Sequence, residues 1–213
     1  MSSPPTPIEE NQQVVTDDPF GSVSYDIRIP KSRVAVLIGT KGEIKKKIEE
    51  ETQSTITVDS QEGEVTITAN DVVLGYIVKD IVKAIGRGFN PELALQLLKT
   101  DYAFELIEMH ELAKHKNQLT RVKGRVIGKA GRTRETIEKT MEVHMSVFGK
   151  TIGIIGQVER VLAAKQAIEM ILDGSPHANV YRWLEKKKKS FTRDELTGAN
   201  TIEFKDGMDK YAE

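Results

Sequence analysis

The chain of 213 residues carries 31 Lys and Arg against 32 Asp and Glu, a formal net charge of −1, with 38% hydrophobic and 30% charged residues. That length suits one large or two small domains, and the near-neutral balance means that any nucleic-acid contact must rest on local patches. The absence of cysteine excludes disulfides and thiolate metal sites and fits a reducing interior. No run reaches transmembrane length and the first residues hold no basic and apolar leader, so no membrane contact and a cytoplasmic location are expected.

In chain order, residues 1–20 hold Pro4, Pro5, Pro7 and Pro19 and the acids Glu9, Glu10, Asp17 and Asp18 without Lys or Arg. They read as a disordered acidic arm. Val23, Tyr25, Ile27 and Ile29 alternate, which predicts a half-buried strand ended by Pro30. A short helix over 33–38 leads into Gly39-Thr40-Lys41-Gly42, and a second, Glu/Lys-rich helix carrying Ile44 and Ile48 runs to about Gln53. Strands at 55–58 and 65–68 form a hairpin around Gln61–Glu64. Asn70 or Asp71 can cap the next helix, with Val73, Ile77, Ile81 and Ile85 on one face. Gly86 and Gly88 stop it. Asn90-Pro91 then reads as N-cap and N1 of a short connector helix with Leu93, Leu97 and Leu98.

The second half repeats this order. Tyr102 to Met109 reads as a strand, and about ten extra residues, His110 to Leu119, precede Gly128-Lys129-Ala130-Gly131. Helix 132–141, strand 143–148, a Gly149-Lys150 turn, strand 151–155 and helix 157–172 follow. Ser175-Pro176 starts a last helix with Val180, Trp183 and Leu184 on one side, and Lys186 to Lys189 would sit at its end, where cations suit the macrodipole. From Asp194 onward polar and acidic residues dominate, and a frayed tail is expected.

The two glycine loops share a grammar. One offset carries Gly39 to Gly128, Gly42 to Gly131, Ile48 to Ile137 and Val58 to Val147; after a shorter turn Val65 lies opposite Ile152. A lone Gly-x-x-Gly is weak evidence, and Gly153-Ile154-Ile155-Gly156 is a chance copy in a strand-like run. Two copies in matched contexts indicate a duplicated domain of order β-α-α-β-β-α. Each loop would let backbone approach a ligand at a helix N-terminus, an anion site. Around the second loop Arg121, Lys123, Arg125, Lys129, Arg132, Arg134 and Lys139 face only Glu135 and Glu138, a balance of +5; the stretch from Lys31 to Glu51 balances at +2. This pattern points to a seat for nucleic-acid phosphates.

Catalysis is not supported by spacing. Gly124 to Ala130 approaches a P-loop but is one residue short between the glycines and ends in Ala130. His144 to Thr151 ends Gly-Lys-Thr but falls on strand–turn–strand. His110, His115, His144 and His177 form no His-x-x-x-His pair, so no metal is expected. No cofactor is expected either.

Each copy resembles a KH domain of type I, an RNA-binding module with Gly-x-x-Gly between its first two helices. The resemblance implies an α+β fold of two tandem KH domains, each a three-stranded antiparallel sheet packed against helices. The units would be an arm (1–20), a first KH domain with connector helix (21–99), a second with the last helix (100–192) and a tail (193–213). It also implies about four nucleotides of single strand per domain, held on the loop and in an apolar groove. The expected RNA-binding residues are Gly39, Thr40, Lys41, Gly42 and Lys45 in the first copy. In the second they are Arg125, Gly128, Lys129, Ala130, Gly131, Arg132 and Arg134. Ile38, Ile44, Ile56, Ile127, Thr133 and Met145 are candidates for groove or core alike.

The stretches Gly88 to Leu95, Arg121 to Gly128 and Gly174 to Glu185 are similar to those of the archaeal Partner-of-Nob (Dim-type) ribosome-assembly proteins. That resemblance covers about Ser22 to Lys189. It implies a non-enzymatic protein of small ribosomal subunit biogenesis that binds single-stranded RNA in the 3′ region of the small-subunit rRNA and assists maturation of that end. The endonuclease that trims that end and a translation initiation factor subunit are the implied partners. Krr-type assembly factors share the architecture and are the closest rival. A protein-interaction scaffold, with one KH copy turned to protein contact, is the third reading.

Overall fold

The computed structural model describes residues 10–11, 22–109 and 116–197. The first unit is built from β2 (Val23–Arg28), α1 (Lys31–Ile38), α2 (Glu43–Thr52), β3 (Ser54–Asp59), β4 (Glu64–Ala69) and α3 (Val72–Gly86). The second repeats them as β5 (Tyr102–Glu108), α5 (Lys116–Ile127), α6 (Arg132–Met141), β6 (His144–Phe148), β7 (Thr151–Gln157) and α7 (Val158–Leu172). Between them lie α4 (Pro91–Ala94) and a 3-10 turn (Leu95–Leu98), and α8 (His177–Thr197) closes the described chain. Both sheets are antiparallel, with the returning strand in the centre: β2-β4-β3 and β5-β7-β6. This is the expected fold of two tandem KH domains, each a three-stranded sheet packed against helices. A two-residue strand, β1 (Glu10–Asn11), adds to the outer edge of β2 opposite Ile27 and Asp26. The rest of the expected acidic arm, residues 198–213 of the expected tail, and His110 to His115 of the expected insert lie outside the described residues.

Alternation sets the registers. Ile56 faces Ile67 and Val58 faces Val65 across the first hairpin, and Met145 faces Ile154 across the second. Ile27, Leu37, Ile48, Ile56, Ile67, Ile81 and Ile85 fill one core; Met109, Ile137, Met141, Ile152, Ile154 and Ile168 fill the other. Asp71, not Asn70, caps α3: its carboxylate accepts from the backbone N–H of Val73 (2.7 Å) and Leu74 (3.0 Å). Of the expected row on α3, Ile81 and Ile85 are buried, joined by Val78 and Val82, and Ile77 is half-buried, but the row's first residue leaves the core. Val73 is 67% exposed, because a row of period four drifts off a helix of 3.6 residues per turn. Asn90 occupies the N-cap of α4 without a side-chain bond to it.

β7 is buried along Thr151–Gly156 because both of its faces are covered. Ile152 and Ile154 point into the second core, while Ile155 joins the first. The connector supplies that outer cover. Phe89 meets the Phe104 ring edge-on at 6.1 Å between centroids, and Ser146 Oγ donates to the Arg87 carbonyl at 2.9 Å. The strand glycines of the Gly153–Gly156 run answer to close neighbours: a Cβ on Gly153 would lie 2.6 Å from Phe89 of the connector, and one on Gly156 2.8 Å from Val143 of the second core. The two copies are thus locked through one apolar seam.

Helix α8 corrects an expectation. Lys186 to Lys189 do not end it but lie in its middle, since the helix runs on to Thr197. Val180 and Leu184 are fully buried as expected, and Phe191 extends the contact, lying 5.9 Å from the Arg160 guanidinium. Residues 193–197, expected in the tail, belong to this helix.

Candidate nucleic-acid interface

In each copy the chain leaves one helix, turns through Gly-x-x-Gly and enters the next, and the two turns have the same backbone. Gly39 and Gly128 stand at φ 72°, ψ 179° and φ 75°, ψ 173°. Lys41 and Ala130 are left-handed at φ 54°, and Gly42 and Gly131 follow at φ 80° and 78°. A hydrogen bond from Gly42 N to the Gly39 carbonyl (3.3 Å), matched by Gly131 N to Gly128 (3.2 Å), closes each turn. The two glycines of a loop are needed for different reasons. A Cβ on Gly128 would lie 2.8 Å from the Cβ and backbone N of Thr133, whereas one on Gly131 would meet nothing within 4 Å. The same contrast holds between Gly39, pressed on Ile44, and Gly42. So the first glycine seats the loop on the following helix, and the second leaves an open surface at that helix's start. Neither α2 nor α6 has a side-chain cap, and uncapped helix N-termini favour anions.

The expected site residues divide into three groups. Thr40, Lys41, Lys129 and Ala130 are exposed at the turns, with Arg132 exposed beside the second. Lys41, Lys129 and Arg132 make no ion pair among the described residues. Lys45 and Arg134 sit one turn into their helices and pair with Glu49 (3.6 Å) and Glu138 (3.3 Å). Arg125 is directed elsewhere: its guanidinium donates to the Ser175 carbonyl (2.8 Å), bracing the turn between α7 and α8. Arg33, counted among the cations of the first copy, likewise donates to the carbonyls of Ile85 (2.8 Å), in the last turn of α3, and Phe89 (2.5 Å), just past it. Burial lowers its pKa below the ordinary arginine value. Around the second loop, Lys139 hydrogen-bonds Glu135 (2.6 Å), which holds that carboxyl below its usual range.

Of the residues open between groove and core, Ile56, Thr133 and Met145 are buried, while Ile38, Ile44 and Ile127 are half-buried beside the turns. The sequence reading missed a paired device below each groove. Glu49 accepts from the backbone N–H of Ile56 (2.7 Å) and Glu138 from that of Met145 (2.8 Å). Each carboxylate ties the second helix to the outer strand and pairs with a cation one turn back on the same helix. The signal was available, since one offset relates Glu49 to Glu138, Lys45 to Arg134 and Ile56 to Met145. Tyr181 was missed too: from α8 its hydroxyl donates to Thr133 Oγ1 (2.9 Å), the residue pressed on Gly128. His177 Nε2 bonds the Arg125 carbonyl at 2.9 Å. The second loop is therefore braced by hydrogen bonds from α8, while the first glycine of the first loop is pressed on Ile44. The Gly124 to Ala130 run that approaches a P-loop spans the end of α5 and the Gly-x-x-Gly turn, and Gly149-Lys150 is a hairpin turn between β6 and β7. Among the described residues no group of three His, Asp or Glu is placed to hold a metal ion, and no helix is long and apolar enough to cross a membrane.

Comparison with known proteins agrees with this geometry. Residues 24–73 match the KH domain family, and residues 103–189 match the second PNO1 KH domain, described as a eukaryotic type KH-domain (KH-domain type I). A KH domain-containing protein of Methanocaldococcus jannaschii is 43% identical over 183 residues, 82% of this chain and 80% of that protein. The crystal structure of Dim2p from Pyrococcus horikoshii is 46% identical with a TM-score of 0.71, covering 76% of this chain and 98% of that one. The a/eIF2alpha–aDim2p–rRNA complex from the same organism matches at 45% and 0.74, over 81% and 97%. The pre-rRNA-processing protein pno1 of Emericella nidulans is 31% identical over 112 residues, 51% of this chain and 43% of that protein. With both Gly-x-x-Gly loops intact in a tandem KH frame, the chain belongs to the Dim2p/PNO1 family of KH proteins.

Proposed function

We propose that the chain binds single-stranded RNA in the 3′ region of the small-subunit rRNA and assists maturation of that end during small ribosomal subunit assembly. Backbone phosphates sit on Gly39–Gly42 and Gly128–Gly131, and bases lie in the groove beside each turn. The observation that carries this reading is the pair of superposable turns, each opening on an uncapped helix with a lysine at its tip. Arg132, and Arg134 held by Glu138, add charge at the second turn; Arg125 serves as a brace. Support comes from the Pyrococcus Dim2p complex, which contains rRNA, and from the name of the Emericella relative, a pre-rRNA-processing protein. On this reading the protein acts by binding and leaves the cut to a separate endonuclease in the cytoplasm. Crosslinking and sequencing of bound RNA from the native host tests it. Reads should pile up at the 3′ end of the small-subunit rRNA; reads spread over unrelated transcripts would refute it.

A second reading concerns the first copy. Its tip has one uncommitted lysine, Lys41, while Lys45 and Arg33 are engaged within the fold. The Pyrococcus complex also contains a translation initiation factor subunit. If crosslinks map only to the second loop, the first domain is the protein-binding half.

A further inference from the structure

Helix α8 carries cations on the side turned away from the core of the second domain. Its buried side is set by Val180 and Leu184, with Phe191 half-buried beyond them. At about 100° per residue, Arg182, Lys186, Lys189 and Arg193 fall within an arc of about 60° on the opposite side, and all four are exposed. Lys187 is turned aside over the Trp183 ring at 5.5 Å. Arg182, Lys186 and Lys189 make no ion pair among the described residues. Like charges three and four residues apart destabilise a helix, and an anionic partner would relieve that repulsion.

The stripe has a defined origin. Tyr181, bonded to Thr133, fixes the start of α8 beside the second loop. Ten residues on, Phe191 covers Arg160, which pairs with Glu142 (3.1 Å) at the far end of α6. α8 therefore runs alongside α6 in the same direction. Its cations lead away from Lys129 and Arg132 for about 16 Å, at ~1.5 Å per residue.

We propose that this stripe is a second RNA-backbone track, continuing the strand that leaves the second KH groove; it rests on the RNA-binding reading above. At ~3.4 Å per stacked nucleotide its length matches about five phosphates. An acidic protein is the weaker occupant. Protein interfaces centre on apolar or aromatic anchors, and the residues flanking the stripe, Ala178, Glu185 and Ser190, offer none.

The test uses the full chain, two single-stranded probes from the 3′ end of small-subunit rRNA (a 16-mer and a tetranucleotide) and the triple variant Arg182→Gln, Lys186→Gln, Lys189→Gln. The expected result for the 16-mer is a tenfold or greater rise in Kd and a log–log salt slope flatter by about 2, at ~0.7 per phosphate contact. Tetranucleotide affinity and thermal melting should stay at the parent values. The charge-preserving variant Arg182→Lys, Lys186→Arg, Lys189→Arg should keep the parent's affinity for the 16-mer. An unchanged 16-mer affinity and slope overturns the track. So does equal loss on both probes with normal melting, which makes the stripe a diffuse field. Should the triple variant melt early, Lys186→Gln with Lys189→Gln gives the same reading at a slope change of about 1.4. A parent protein that binds neither RNA overturns the RNA-binding reading itself, a result seen before any variant is made.

Discussion

Alanine at the two glycines of one loop should have very unequal effects. Gly128 stands at φ 75°, ψ 173°, a region essentially confined to glycine, where a side chain costs ~1–3 kcal/mol. The added methyl would also press on Thr133 at 2.8 Å, so the start of α6 must shift and the Tyr181–Thr133 hydrogen bond with it. Gly131 stands at φ 78°, ψ 3°, with nothing within 4 Å of its Cβ. Alanine there meets only the left-handed penalty of ~1–2 kcal/mol, offset by ~0.4–1 kcal/mol from a less flexible unfolded chain. Gly128→Ala should therefore destabilise by about 3 kcal/mol and Gly131→Ala by about 1 kcal/mol or less. Urea unfolding measures both, from midpoint shifts at constant slope. Equal losses, or a larger loss at Gly131, would refute the division of labour between the two glycines.

Lys129→Ala should flatten the log–log salt dependence of RNA binding by about 0.7; an unchanged slope means that Lys129 touches no phosphate. Arg33→Ala leaves the Ile85 and Phe89 carbonyls without their shared donor and should lower stability by about 2 kcal/mol, measured by denaturant titration. Arg33→Lys should rescue little of it, because one ammonium cannot reproduce the fork. The Lys165 ammonium donates to Glu105 (2.8 Å), and that bond raises its pKa above the ordinary lysine value. Its contribution is therefore full below pH ~10 and lost as pH rises through the raised pKa. Lys165→Met should remove that part of the alkaline fall in melting temperature, and an unaltered profile would show the pair to be inert.

The local grammar was legible in the residues. Glycine spacing, alternation at Val23 to Ile29 and the two hairpins are short-range signals, and the duplication checked each against the other. What escaped depends on partners far along the chain. Arg125 and Arg33 look like ligand cations until Ser175, Ile85 and Phe89 arrive beside them. α8 seems to end at its lysines because polar and acidic residues dominate from Asp194 on, although Gly198 stands one residue past Thr197, and Phe191 finds its contact on Arg160, in another helix. Val73 fits a regular apolar row whose Ile81 and Ile85 are buried, yet Val73 itself is exposed and Val78 and Val82 complete the buried face. The site was read from its glycines; the carboxylates of Glu49 and Glu138 beneath it show their role only with the outer strand in place.

The most direct measurement compares two double substitutions, Thr40→Asp with Lys41→Asp and Lys129→Asp with Ala130→Asp, for melting and for single-stranded RNA affinity. All four positions are exposed. The left-handed backbone at Lys41 and Ala130 accepts aspartate. A carboxylate near a helix N-terminus is tolerated, so stability should move by at most ~1 kcal/mol. Affinity should fall sharply in both, and further in the second loop, where Lys129 and Arg132 are uncommitted. Two variants that melt normally and keep the parent's affinity would mean that the Gly-x-x-Gly turns do not hold RNA.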